Sequence, residues 1–150
     1  YGLKIKKFSD EAIKQRTDIV IQMVGLEKYR NYYPSQLSAS MLQRVVIARA
    51  FAIEPDLLLM DEPYGQLDLT LKYKLEDELI KMWQNLRTTV LFITHNIEEA
   101  VYLSDRIIVL TNKPTKIKTV ISNNLPRPRK VSDADFVKLR NQVTDLIKWW

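Results

Sequence analysis

Residues 56–63 read DLLLMDEP, a short apolar run that stops on two adjacent carboxylates and a proline. An unbroken run of this length, bounded by charge and by proline, predicts a strand buried on both faces, as in the middle of a parallel sheet. Downstream, Asp68 can cap a long helix to about Leu86, with Leu71, Leu75, Leu79 and Met82 or Trp83 facing inward. TTVLFITH, residues 88–95, predicts a second buried strand, NIEEAVYLS (96–104) a short helix and DRIIVLT (105–111) a third strand. Strands that alternate with helices predict an α/β class with a parallel sheet.

The flanks fit around that centre. Upstream, SDEAIKQRTDIVIQMVG (9–25) has helical apolar spacing, acids in its first turn and a glycine to end it. A second helix is expected from about Ala39 to Ile53, with Met41 or Leu42, Val45, Val46, Arg49 and Ala50 as its stripe. NKPTKIKTVIS (112–122) predicts a strand pair at a sheet edge, and NNLPRPRK (123–130) a Pro- and Arg-rich linker. From Ser132 to Trp150 a capped amphipathic helix carries Phe136, Leu139, Val143, Leu146, Ile147 and Trp150.

Composition narrows the function classes. At 150 residues, 46% apolar and 27% charged, the chain is expected to form one compact domain. Its longest apolar runs fall far short of the ~20 residues of a membrane-spanning helix. Without cysteine it has no disulfide or thiolate metal site, which fits a reducing compartment. The opening YGLKIKKFSD is not of signal-peptide type. A net charge of +5 suits either an anionic partner or a mildly basic surface.

Chemistry concentrates at three places. Asp61 and Glu62 stand at the carboxyl end of a strand, where open α/β sheets bind ligands. They read either as a metal carboxylate (Asp61, directly or through water) beside a water-positioning base (Glu62), or as two surface acids opening a loop. His95, the only histidine, ends the next strand and would join the acids at one sheet edge; the alternative is a packed or exposed histidine. Ser38 precedes a helix whose first N–H groups favour an anion, or it caps that helix.

Taken in order, LSASMLQRVVIARA, LLLMDEP, YGQLD and VLFITHNIEEA resemble the signature segment, Walker B, D-loop and switch histidine of the ATP-binding cassette (ABC) ATPases. The resemblance spans essentially the whole chain. It implies a P-loop NTPase-like α/β fold, here the end of a helical subdomain plus the C-terminal part of the sheet core. The expected divisions are 1–53, 54–122 and 123–150. By resemblance Asp61 is the Walker B aspartate that holds Mg2+, Glu62 the catalytic glutamate, and His95 the residue that contacts the γ-phosphate of ATP. Ser38, Ala39, Ser40 and Gln43 would face ATP bound to the opposite subunit of a dimer, and Asp68 would couple the two halves.

Some positions depart from the family pattern. Ala39 and Ser40 replace two signature glycines, Leu42 a polar or basic residue, Gln66 a small D-loop residue, and Asn96 an aspartate. No GxxxxGK[ST] loop occurs, and Gly2, Gly25 and Gly65 cannot supply one. The chain therefore reads as the C-terminal part of a longer ATPase, expected to be inactive alone, marginally stable and open at apolar faces.

The LPRPR tail is similar to the branch serving nitrate, sulfonate and taurine importers. That implies a peripheral subunit on the cytoplasmic membrane face, working with a permease, a second ATPase subunit and, indirectly, a solute-binding protein. A non-catalytic partner that lends only its signature face is the alternative. No sustained heptad supports a chromosome-associated relative, so no nucleic acid is expected.

Overall fold

The computed structural model describes residues 1–64 and 69–148. In chain order the elements are α1 (Gly2–Ile5), α2 (Asp10–Met23), α3 (Ala39–Ala52), β1 (Leu57–Asp61), α4 (Leu69–Leu86), β2 (Thr89–Ile93), α5 (Ile97–Leu103), β3 (Arg106–Leu110), β4 (Ile117–Ser122) and α6 (Ala134–Ile147), with short 3-10 turns at Glu27–Tyr29 and Pro34–Gln36. Among the described residues no helix is long and apolar enough to cross a membrane. The chain divides into two compact units, Tyr1–Met60 with Tyr64–Leu91 and Asp61–Pro63 with Phe92–Trp150.

Local chemistry sets the helix limits. Ser9 accepts the Ala12 N–H at 3.2 Å to start α2. At the other end Gly25 adopts φ +65°, and the Gly25 and Leu26 N–H groups turn back to the Gln22 and Ile21 carbonyls, each at 3.0 Å. This glycine-centred arrangement satisfies carbonyls that the helix itself cannot. Leu26 is then buried with Val20 and Val24 among the apolar residues of the first unit, which include Ile47, Phe51, Leu75 and Met82.

Helix α3 buries a different stripe from the one its sequence suggests. Ile47, Ala48 and Phe51 face inward, whereas Val45, Val46 and Arg49 are exposed. The helix is apolar around much of its circumference, so spacing alone allows several stripes. The rotation adopted puts Arg44 in line with Ile47, Ala48 and Phe51, where its Nη2 meets the Glu78 carboxylate of α4 at 3.1 Å. A polar pair between the helices thus accompanies the buried face.

β1 and β2 are neighbours in one two-stranded sheet. The Glu62 N–H donates to the Ile93 carbonyl at 2.9 Å, so the carboxyl ends of both strands lie together and the strands run parallel. Neither is fully buried, contrary to expectation. Burial alternates along each strand, and Leu57, Leu59, Leu91 and Ile93 are about half exposed or more. A run made only of apolar residues hides this alternation, because both faces carry the same chemistry.

In the second unit β3 pairs antiparallel with β4, with Ile108 opposite Val120. Residues 112–122 therefore supply one strand, not the expected pair. Ile107 and Val109 point to a core completed by Val101 of α5 and by Phe136 and Val143 of α6. The Tyr102 and Phe136 rings meet edge to face at 6.5 Å. Helix α6 starts at Ala134 with Asp133 as its N-cap, which makes no side-chain capping bond, rather than at a capping Ser132. The expected linker is not a linker either: Asn123 and Arg129 are buried.

Candidate functional site

The second unit brings Asp61, Glu62 and His95 to the carboxyl ends of β1 and β2. Asp61 is the last residue of β1 and is exposed. Glu62 follows with φ +45°, a left-handed conformation that a side chain makes costly, by roughly 1–3 kcal/mol. The hydrogen bond to Ile93 fixes that turn on its main chain, and bonds to residue 95 fix its side chain. Glu62 Oε1 accepts the His95 N–H at 2.9 Å and lies 2.7 Å from His95 Nδ1.

This pairing assigns the imidazole. With Nδ1 donating to the carboxylate, Nε2 is left for an external partner. The His95 side chain is 83% exposed and Glu62 38%, so both can meet a ligand. A carboxylate held through one oxygen keeps the other to accept from a water molecule. The arrangement can orient a water and present a ring nitrogen to an anion.

The loop carrying His95 is closed by bonds on either side of it. Thr94 Oγ1 donates to Glu99 Oε2 at 2.5 Å and accepts the Asn96 N–H at 3.0 Å. Asn96 Oδ1 then accepts the N–H groups of Glu98 and Glu99 at 2.9 and 3.3 Å, capping α5. An asparagine performs this capping as an aspartate would. Thr94 and Glu99 were not singled out from sequence. The Asn-x-x-Glu spacing of residues 96–99 was the available signal for Glu99.

The residues expected to act as the signature lie in the first unit, at the start of α3. Ser38 Oγ accepts the Met41 N–H at 3.3 Å, so Ser38 does cap its helix. Among the described residues the N–H groups of Ala39 and Ser40 find no hydrogen-bond acceptor. Gln43 is half-buried one turn on. Neither Ala39 nor Ser40 is among the non-glycine residues of positive φ, so the turn itself does not call for glycine at either position. Asp68, with Gly65 and Gln66, lies outside the described residues.

Residues 3–65 match the family described as ABC transporter. An uncharacterized ABC transporter ATP-binding protein of Methanocaldococcus jannaschii is 42% identical over 148 residues, which is 99% of this chain and 55% of that protein. The chain belongs to the ABC transporter ATPase family. This ABC chain is also 41% identical to the aliphatic sulfonates import ATP-binding protein SsuB of Bacillus cereus, over 89% of its length and 53% of SsuB. A bacterial ABC transporter cassette solved as a dimer matches its fold with a TM-score of 0.60 at 34% identity, covering 78% of this chain and 50% of the other. The ABC chain spans about half the length of the curated relatives it matches.

The α/β fold with its parallel strand pair agrees with a partial P-loop ABC ATPase. The exposed Asp61 carboxylate would suit Mg2+, which typically uses one or two carboxylates together with substrate phosphates. Among the described residues no group of three or more His, Cys, Asp or Glu is placed to hold a metal ion.

Proposed function

We propose that this chain is the part of an ABC ATPase that carries the signature, Walker B and switch-histidine elements, and that it serves ATP hydrolysis coupled to import of a small anion. The observation that carries this reading is the contact of Glu62 with His95 at the ends of parallel strands. Glu62 orients the attacking water and His95 contacts the γ-phosphate. Asp61 would hold Mg2+, which would neutralise phosphate charge. Ser38, Ala39, Ser40 and Gln43 serve ATP on a second ATPase subunit, and Asp68 couples the two.

The chain carries no GxxxxGK[ST] loop, so the phosphate cradle comes from outside these 150 residues. The aliphatic sulfonate importer relative supports an organic or inorganic anion as cargo, of the nitrate, sulfonate or taurine type. A permease and, indirectly, a solute-binding protein are the implied partners, and the place of work is the cytoplasmic face of the membrane.

The test is ATP hydrolysis by the chain assembled with whatever supplies the phosphate loop. Glu62→Gln is expected to lower kcat by about 10²–10⁴-fold with little change in KM for ATP. A kcat within twofold of wild type would overturn the role of Glu62. Tight magnesium ATP binding by the isolated chain would overturn the external phosphate cradle.

A further inference from the structure

His95 is followed at once by α5, a helix of seven residues. So short a helix is marginal without outside support, and its last carbonyls have no partners of their own. In this chain nearly every one of them is claimed by the segment that reads as a linker. Arg129 Nη1 donates to the carbonyls of Val101, Tyr102 and Ser104 at 3.0, 2.8 and 2.8 Å. Arg127 Nη2 donates to the Leu103 carbonyl at 2.6 Å, while its Nη1 meets Asp105 at 2.6 Å. Asn123 Nδ2 adds a second bond to Val101 at 2.7 Å.

Arg129 is anchored on its own side as well. Its Nε and Nη2 donate to the Leu125 carbonyl at 3.2 and 3.1 Å. At 6% exposure it is a buried guanidinium whose hydrogen-bond acceptors are backbone carbonyls. Only a planar fork of donors can bridge acceptors on both sides at once. Two cations at the C-terminal end of α5 also oppose the negative end of its dipole.

The opposite end of α5 terminates in the histidine loop. Asn96 caps the helix, Thr94 ties back to Glu99, and the His95 N–H reaches Glu62. The bonds thus run without a break from Arg129 and Arg127 through α5 to the Glu62–His95 pair. We propose that Arg127 and Arg129 are positioning residues which hold α5 in place so that His95 stays on Glu62. This rests on the reading of Glu62 and His95 as the working site, but it concerns their geometry and not the reaction.

Because His95 is the only histidine of the chain, its imidazole nitrogens report on that geometry in nitrogen-15 spectra of the full chain, recorded without nucleotide at one pH. Glu62→Ala gives the signal of the broken pair. Arg127→Ala is expected to move the His95 resonances part of the way to that position, and Arg129→Lys to move them further, at temperatures where both variants are folded. Arg129→Ala is expected to move them further than Arg129→Lys, the lysine giving partial rescue.

A wild-type His95 signal in folded Arg127→Ala and Arg129→Lys, with only the unfolding midpoint lowered, would overturn the proposal by reducing both arginines to structural supports. If Arg129→Lys does not fold, Arg127→Ala decides alone. An unchanged His95 signal in Glu62→Ala would overturn it too, since there would be no pair to hold. None of these spectra depends on hydrolysis, so a hydrolytic role disproved by Glu62→Gln leaves their outcome separate.

Discussion

Arg44 in the first unit and Arg129 in the second are both drawn inward, and they differ in their main partner. Arg44 meets chiefly another side chain, Glu78, with one long bond to the Val24 carbonyl at 3.4 Å, and the pair is incompletely satisfied: Arg44 Nε and Glu78 Oε2 are buried without a hydrogen bond. Arg129 meets backbone carbonyls of Val101, Tyr102, Ser104 and Leu125. Burial, and then the neighbouring charge of Arg127, push its guanidinium down to about 10. The difference is one of replaceability. Two side chains can be removed together, but the carbonyls of α5 stay whatever replaces Arg129.

The largest effect should therefore come from Arg129→Met. It leaves buried acceptors unpaired at roughly 1–3 kcal/mol each, so a loss of at least about 3 kcal/mol is expected. The double variant Arg44→Met, Glu78→Leu removes both members of the ion pair, gives up only one long bond to the Val24 carbonyl, and should change stability by no more than about 1 kcal/mol, or raise it. Urea unfolding of the two variants reads the difference directly. The contrast breaks if the double variant loses as much as Arg129→Met does.

A smaller effect sharpens the first half of the contrast. Burial raises the Glu78 carboxyl above its ordinary value, Asp77 adds to the rise, and Arg44 and Lys81 oppose it. The folded chain then holds this proton more tightly than the unfolded chain does. Between the ordinary and the raised value, stability falls as pH rises, because the unfolded state binds fewer protons. Glu78→Gln removes that dependence. The unfolding midpoint of Glu78→Gln relative to wild type should climb from pH 4 to pH 7; a flat or falling difference would show that the Arg44 attraction outweighs burial.

The two arginines also mark where sequence was legible. Helix caps and stops at Ser9, Gly25, Ser38 and Asn96 are local chemistry, and they place α2, α3 and α5 within a residue or so of expectation. The acids and the histidine at the strand ends could be read because parallel strands put their carboxyl ends on one edge. What could not be read was the choice of face. Arg44 looks like a surface residue on a nearly all-apolar helix, yet its stripe is the buried one. PRPR looks like a solvated linker, since proline and charge are the usual marks of one, and its second arginine is buried by partners some 25 residues away in sequence. Long-range pairing leaves no periodicity to detect.

The helix starts give the smallest expected effect and the sharpest distinction. Asn96 uses its carbonyl oxygen for two N–H groups of α5, Glu98 and Glu99, whereas Ser38 uses its hydroxyl for one, Met41, and the N–H groups of Ala39 and Ser40 find no acceptor among the described residues. One helix start is capped through two N–H groups, and the other through one. Asn96→Ala should cost about 1–2 kcal/mol and Ser38→Ala about 1 kcal/mol or less, each measured by denaturant unfolding. If Ser38 only caps, assembled ATP hydrolysis should fall no further than the lost folded fraction. If the start of α3 receives phosphate from a second subunit, hydrolysis should fall well beyond it, because removing the hydroxyl would loosen the donors that are aimed at the ligand rather than at the chain.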